Sequence, residues 1–309
     1  MIVFFPILSI YLWKFLFKYN ILVYYIMALT IKELIENDRP NITESSIKTY
    51  LSNLKKLGIT TVDNIKKLND VEEILESIKD MKITQQRNLL SAILVIIKAS
   101  GEASDKYEKY RETVFDLGVE YSAQLAKNEK TPKQEANWTS LEALKKITRK
   151  HIKNNPGKQT TLISALYTYQ PPTRLDYNSV ELVKTDKDLD PKQNYLLIKS
   201  ARNKVFIFND YKTSKKYGQT RIPVSKPLNA VINKFLKLNP NRKYLLQQKR
   251  DNKPLTRNQL GKAIPQVFKD TGKNITLNII RHVFVSENVD LEAVKKHQDI
   301  ASKMMHSGA

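Results

Sequence analysis

Three short segments place the strongest constraint on the fold, because they are rich in β-branched and aromatic residues and lie among stretches with helical periodicity. The segments are Tyr195–Ile198, Lys204–Asn209 and Thr220–Val224. Their length and spacing predict a small three-stranded antiparallel sheet. Since the chain before and after them favours helices, the predicted fold class is mainly α with a small antiparallel β-sheet, which is an α+β architecture.

Four apolar stripes with helical spacing precede these segments and predict a small helical bundle. Thr43 is placed to cap one of the helices, and Gly58 follows where a left-handed residue would end it. We therefore expect a helical domain over residues 27–127. Residues 128–137 are mostly polar and contain a proline, which predicts a linker. A second domain is expected over residues 138–309, where a capping-box pattern at 139–142 begins its first helix.

Residues 1–26 are strongly apolar and aromatic, unlike the rest of the chain. Lys14 and Lys18 interrupt this run before it reaches the roughly 18 uninterrupted apolar residues expected of a membrane span. No small-residue cleavage site follows, which disfavours a signal peptide. A membrane anchor with two snorkelling lysines stays open as an alternative. The favoured interpretation is that Met27 is the true start and that residues 1–26 are a leader outside the fold.

The charge balance predicts a polyanionic partner. The chain has 52 Lys and Arg residues against 31 Asp and Glu, a formal charge of +21. Such an excess attracts nucleic acid through counterion release, so double-stranded DNA is the expected partner. Cysteine is absent, which excludes disulfides, thiolate catalysis and a cysteine-based zinc site. The four histidines lack metal-ligand spacing, and we expect neither a metal nor a small-molecule cofactor.

Two arginines are candidates for gripping a phosphate. Arg281 lies near Asn278 on one face of a helix that Thr276 can cap, and a rigidly mounted guanidinium suits bidentate contact with phosphate oxygens. Arg174 follows two prolines that fix the backbone at a corner. Each arginine also has a plainer interpretation. Arg281 could be a solvated side chain on an amphipathic helix, and Arg174 could pair with Asp176 or another carboxylate.

Two further basic residues complete the candidate set. Lys212 lies in the connection between the second and third predicted strands, where its flexible stem would let it act as a proton donor or a phosphate ligand. Most lysines on hairpins do neither. His306 follows a second apolar helix near the end of the sequence.

The order of Arg174, Lys212, Arg281 and His306, with their predicted elements, resembles the tyrosine recombinase family of phage-integrase type. The resemblance covers residues from about 135 to the end, and the preceding bundle is similar to that family's core-binding domain. It implies a site-specific recombinase in which a tyrosine attacks the scissile phosphate, giving a 3′-phosphotyrosyl intermediate without metal or ATP. It also implies a homotetramer on two DNA duplexes, in cytoplasm or nucleus wherever the target DNA lies. The composition, typical of an AT-rich gene, suggests a viral or mobile-element origin.

The resemblance further implies a role for each residue. Arg174 and Arg281 would hold the nonbridging oxygens, Lys212 would protonate the leaving 5′-oxygen, and His306 would donate a hydrogen bond to a nonbridging oxygen. Three departures accompany it. Asn278 stands where the family commonly has histidine, and Tyr177 stands where an acidic residue is usual, with Asp176 one place early. The family's nucleophilic tyrosine would fall shortly after His306, where this sequence has no tyrosine.

We therefore expect that the sequence stops short of the nucleophile and that the 309-residue chain is itself inactive. Two alternatives stay open. One is a catalytically inactive DNA-binding protein of the same fold. The other is a strand-passing enzyme of type IB topoisomerase kind, which shares this catalytic set.

Overall fold

The computed structural model describes residues 29–127, 129–290 and 293, and it divides into two compact units between Glu129 and Lys130. The predicted leader at residues 1–26 and the candidate residue His306 lie outside the described residues. No helix within the described residues is long and apolar enough to cross a membrane.

The first unit is built from helices around one long central helix. Its helices are α1 Ile31–Asp38, α2 Glu44–Lys56, α3 Val71–Ile78, α4 Ile83–Ser100 and α5 Tyr107–Ala126, with 3-10 helices at Val62–Asn69 and Ser104–Lys106. The central helix α4 packs against α1, α2 and α5, and Leu90, Ile93 and Ile96 on it are fully buried. Thr43 caps α2 as its sequence pattern predicts, and Gly58, with a φ of 73°, follows its end.

The second unit carries further helices around the sheet. They are α6 Pro132–Asn137, α7 Leu141–Asn154, α8 Gln159–Thr168, α9 Ser214–Tyr217, α10 Lys226–Leu238, α11 Arg257–Val267 and α12 Leu277–Asn288, with 3-10 helices at Leu175–Tyr177 and Lys269–Thr271. Helix α6 lies in the segment for which the sequence predicts a linker. Thr131 caps it by accepting a hydrogen bond from the backbone N–H of Gln134 (3.2 Å), and Pro132 occupies a position where its missing N–H costs nothing.

The sheet has four strands in the order β1 Glu181–Val183, β2 Tyr195–Ile198, β3 Lys204–Phe208 and β4 Thr220–Pro223. Strands β2 to β4 are antiparallel and correspond to the three predicted segments, whereas β1 pairs with β2 in parallel. The predicted fold class is confirmed, and the sheet is mixed because of this additional strand. The sequence does not predict strand β1, because it has only three residues and all of them are half-buried. Its pairing also depends on distant residues, since the backbone N–H of Leu182 donates to the carbonyl of Lys243 (2.9 Å).

The two faces of the sheet enter different apolar clusters, as alternation along a strand requires. Leu196 and Phe206 join the main core of the unit, which also contains α8 and the inner sides of α10, α11 and α12. Tyr195, Leu197 and Ile207 form a smaller cluster on the opposite face. Helix α8 is the centre of the main core, since every residue from 161 to 168 is buried. The segment that follows α8 is consequently attached to the buried centre of the unit.

Tyr177 anchors that segment. Its side chain is fully buried, and its ring makes edge contacts with Tyr167, Phe206 and Phe208 at centroid distances of 5.6, 5.0 and 5.6 Å. Its hydroxyl accepts a hydrogen bond from Nε2 of Gln170 (2.6 Å). The 3-10 helix that begins just after Arg174 is therefore fastened to the sheet and to α8.

We expect Tyr177→Ala to lower the free energy of unfolding by about 3–5 kcal/mol, the range for truncating buried aromatic side chains. Tyr177→Phe keeps the ring and removes only the acceptor of the Gln170 amide, which should cost about 1–3 kcal/mol. Urea denaturation of the full chain measures both values. Tyr217→Ala is the matched control, because Tyr217 is 63% exposed. A Tyr177→Ala variant as stable as that control would contradict the assigned packing.

Candidate functional site

Arg174 and Arg281, distant in sequence, line one open pocket of the second unit. Three parts of the chain meet there: the turn after α8, the β3–β4 region and helix α12. The other residues that line the pocket are Thr173, Asp176, Phe208, Tyr211, Thr213, Thr220 and Ile222. Two of the sequence-predicted site residues therefore meet in space.

Helix α12 holds Arg281 on a firm support. Thr276 caps the helix by accepting a hydrogen bond from the backbone N–H of Ile279 (3.4 Å), as its sequence pattern predicts. Ile280 and Val283 are fully buried in the main core, which fixes the orientation of the helix. Arg281 is half-buried, whereas Asn278, one turn earlier, is exposed. Asn278 is not among the residues that line the pocket.

The backbone of Arg174 is held in place, whereas its guanidinium group makes no ion pair among the described residues. Its carbonyl accepts a hydrogen bond from the hydroxyl of buried Tyr167 (3.1 Å), and the Pro171–Pro172 corner precedes it. Its side chain is exposed. Across the part of the chain that the structure describes, neither Arg174 nor Arg281 makes an ion pair. The interpretation in which Arg174 pairs with Asp176 is therefore wrong in this structure.

Asp176 is a buried carboxylate at this pocket. Its side chain is only 6% exposed, and its Oδ1 lies 3.3 Å from Nη2 of Arg257 without hydrogen-bonding geometry. Burial raises the pKa of Asp176, and the charges of Arg257, Arg174 and Arg281 act against that rise. Tyr177 is buried in the core, and Asp176, one position earlier, lines the pocket together with the two arginines.

Arg257 was not among the residues that the sequence singled out. It begins helix α11 and its Nη2 lies 3.3 Å from Asp176 Oδ1 and 3.7 Å from Asp210 Oδ2, so it bridges two carboxylates. The helix itself is visible in the sequence through the cap at Thr256. The carboxylates come from other segments, and no local pattern connects them with Arg257.

Lys212 lies in the β3–β4 connection, in agreement with its predicted place between two strands. Its side chain is exposed, and its neighbours on both sides, Tyr211 and Thr213, line the pocket. Among the described residues Lys212 makes no ion pair, so its ammonium group is free to turn towards a ligand. A flexible stem allows that movement.

The hydroxyls of Tyr211, which lines the pocket, and of Tyr177, next in sequence to pocket-lining Asp176, are engaged in other hydrogen bonds. Burial raises the pKa of Tyr177 to about 12, and its hydroxyl is bonded to Gln170. The hydroxyl of Tyr211 donates to the carbonyl of Gly218 (2.8 Å) and lies 3.1 Å from Oγ1 of Thr220. Neither phenol is thus prepared for nucleophilic attack. Over the ranges that the structure describes, no group of His, Asp and Glu side chains is arranged to hold a metal ion.

Comparison with known proteins gives one kind of match. No protein-family profile matches the sequence, and no curated protein matches it. Among solved structures, the chain is similar to a crystal structure of a lambda integrase (75–356) dimer bound to a COC′ core site, with a TM-score of 0.38. The sequences are 12% identical, and the match covers 86% of this chain and 93% of that chain. A similarity of this degree does not assign the chain to a family.

We expect Asp176→Asn to be more stable than the wild type at neutral pH, because it removes a buried charge whose pKa is raised above its ordinary value of 3.8. As the pH falls, the folded wild type takes up its proton before the unfolded chain does. Its unfolding free energy should therefore rise relative to the variant as the pH falls through the raised pKa towards 3.8. Urea denaturation at a series of pH values measures this difference.

Asp186→Asn is the control for this experiment. A hydrogen bond from Arg221 lowers the pKa of the exposed Asp186, so its contribution to stability is present above the ordinary pKa and is lost as the pH falls. The two variants should therefore differ from the wild type with opposite pH slopes. Equal slopes would contradict the environment assigned to Asp176.

Proposed function

We propose that this chain carries the phosphate-binding and proton-donating residues of a DNA strand-breaking and rejoining enzyme, a site-specific recombinase or integrase whose reaction passes through a 3′-phosphotyrosyl intermediate, and that none of its described tyrosines is the nucleophile. The observation that supports the proposal best is the pocket with two guanidinium groups, Arg174 and Arg281, neither of which is paired within the described residues. Such a pocket suits a phosphodiester, since each guanidinium can donate two parallel hydrogen bonds to phosphate oxygens.

The two arginines would act mainly on the transition state. Attack on phosphorus places additional negative charge on the nonbridging oxygens, and the two guanidinium groups, whose segments are held in place by packing, would stabilise that charge. Asn278 would add a hydrogen bond without moving a proton, because a neutral amide does not titrate. His306 is proposed as a further donor to a nonbridging oxygen.

Lys212 is proposed as the general acid. When the bond between phosphorus and the 5′-oxygen breaks, the leaving alkoxide needs a proton, and an ammonium group on a flexible stem can deliver it. Lys212 is suited to this role because the residues on both sides of it line the pocket that holds the two arginines.

The attacking hydroxyl is assigned to none of the described tyrosines. Tyr211, which lines the pocket, and Tyr177, next in sequence to pocket-lining Asp176, have hydroxyls bonded to Gly218 and Gln170. We therefore expect the 309-residue chain to bind DNA without forming a covalent adduct. Denaturing electrophoresis with labelled duplex measures this, and an adduct would mean that an internal tyrosine is the nucleophile.

The partner is proposed to be double-stranded DNA, on the strength of the +21 charge, and the assembly a homotetramer on two duplexes located wherever the target DNA lies. Residues 27–127 would form a core-binding domain, 128–137 the linker and 138–309 the catalytic domain.

A second candidate is a catalytically inactive DNA-binding protein, which the lack of an assigned nucleophile favours. A topoisomerase of type IB kind would relax supercoils without exchanging strands between duplexes.

The proposed function is tested with an added nucleophile that takes the place of the attacking tyrosine. The full chain is incubated with a duplex selected from a random pool for binding, and with hydroxylamine, whose oxygen attacks phosphorus while the 5′-oxygen leaves. We expect breaks with 5′-hydroxyl ends at a fixed position on each strand. Arg174→Ala and Arg281→Ala should each slow breakage by about 10²–10³-fold, the scale for losing one transition-state donor.

Two comparisons make this experiment specific. Lys212→Ala should be slow on the natural duplex and recover when the leaving 5′-oxygen is replaced by sulfur, because a thiolate leaves without a proton. The arginine variants should not recover. Arg149→Ala is the control, since Arg149 is exposed and pairs with Glu142 outside the pocket. Binding without breakage on either substrate would favour the inactive DNA-binding protein.

A further inference from the structure

The side chain of Asn194 lies just before β2, is only 2% exposed, and makes four hydrogen bonds. Its Oδ1 accepts from the backbone N–H groups of Asn209 (2.8 Å) and Asp210 (2.9 Å). Its Nδ2 donates to the carbonyls of Asp210 (2.9 Å) and Asp176 (3.3 Å). One buried amide thus joins two segments that are far apart in sequence.

Both segments carry residues of the candidate site. Asn209 and Asp210 begin the connection that contains Lys212, whereas Asp176 belongs to the 3-10 helix that begins just after Arg174. Arg257 links the same two segments a second time through the carboxylates of Asp176 and Asp210. The start of the Lys212 connection is therefore held against the Arg174 segment.

Tyr211 joins the beginning of the same connection to its end. Its ring packs partly buried against the main core, and its hydroxyl donates to the carbonyl of Gly218 (2.8 Å). Gly218 has a φ of 68°, which glycine adopts without the strain other residues would incur. Lys212 itself stays exposed between these two fastenings.

We propose that Asn194 is a positioning residue that sets the Lys212 connection against the Arg174 segment, so that the proton donor and the arginine pair act on one phosphate. The inference rests on the proposed function. Arg174 has supports of its own in the proline corner and the Tyr167 hydroxyl, whereas the Lys212 connection begins at the Asn194 amide. Loss of that amide should consequently affect proton donation more than phosphate binding.

The first test is Asn194→Leu in the full chain, which keeps the approximate volume and removes all four hydrogen bonds. Breakage of the natural duplex in the hydroxylamine assay should fall about tenfold or more, part of the 10²–10⁴-fold that a positioned general acid contributes. Breakage of the 5′-sulfur duplex should change by less than about twofold, since that leaving group needs no proton. Equal loss on both substrates, or no loss on either, would overturn the positioning role.

Lys204→Met is the matched control. Lys204 is also buried, at 3% exposure, and its Nζ donates to the carbonyls of Ser200 and Ala201 and to Oδ1 of Asn229 and Asn233. This group holds the β2–β3 turn to α10 and includes no residue that lines the pocket. The variant should lose stability without changing the ratio of the two breakage rates.

Hydrogen exchange tests the connection without any cleavage. Asn194→Leu should speed amide exchange in residues 209–213 and 174–178 together, whereas Lys204→Met should speed it only around residues 199–204. Asn194→Asp, which keeps the acceptor oxygen for Asn209 and Asp210 and loses the donor to the carbonyls of Asp210 and Asp176, serves if the leucine variant does not fold. It should release residues 174–178 more than residues 209–210.

The outcomes separate this inference from the proposed function. If the wild type breaks no DNA, the proposed function fails, and hydrogen exchange alone decides whether Asn194 joins the two segments. If the wild type breaks DNA and exchange at residues 174–178 stays unchanged in both Asn194 variants, the positioning role is overturned while the proposed function stands.

Discussion

Two guanidinium groups that share a pocket repel each other, and the buried carboxylate of Asp176 is the opposing charge beside them. That carboxylate is itself costly to bury, which its raised pKa records. Three arginines favour its charged form, and of these only Arg257 lies within ion-pair distance. Arg174 and Arg281 are therefore left free to receive a second anion, and a phosphate group has the geometry that such a pair prefers.

The charges can be held there because the surrounding segments are fixed by packing. Tyr177 fastens the Arg174 turn to the sheet, while Ile280 and Val283 fasten the helix of Arg281 to the same core. Asn194 adds the β3–β4 connection to this framework through its buried amide. These contacts hold together the three distant segments that line the pocket.

Local patterns were sufficient for some of these features. Strands β2 to β4 follow from their β-branched and aromatic residues, and the support of Arg281 follows from Thr276 and the apolar side of α12. The proline corner before Arg174 is also a local pattern, because Pro171 and Pro172 are adjacent in sequence. Strand β1, the ion pairs of Arg257 and the contacts of Asn194 were not visible, because each depends on a partner far away in sequence. The sequence shows Asp176 as a carboxylate close to Arg174, but it does not show that Asp176 is buried, because burial depends on tertiary packing.

We propose that Arg174 and Arg281 contact the same phosphate, and a double-mutant cycle on DNA affinity tests this most directly. Arg174→Ala, Arg281→Ala and the double variant are compared with the wild type on the selected duplex at one salt concentration. Two side chains that share a ligand group should show a coupling energy of about 0.5–3 kcal/mol. Losses that add within about 0.3–0.5 kcal/mol would mean that the two arginines contact separate phosphates, and the shared site would be contradicted.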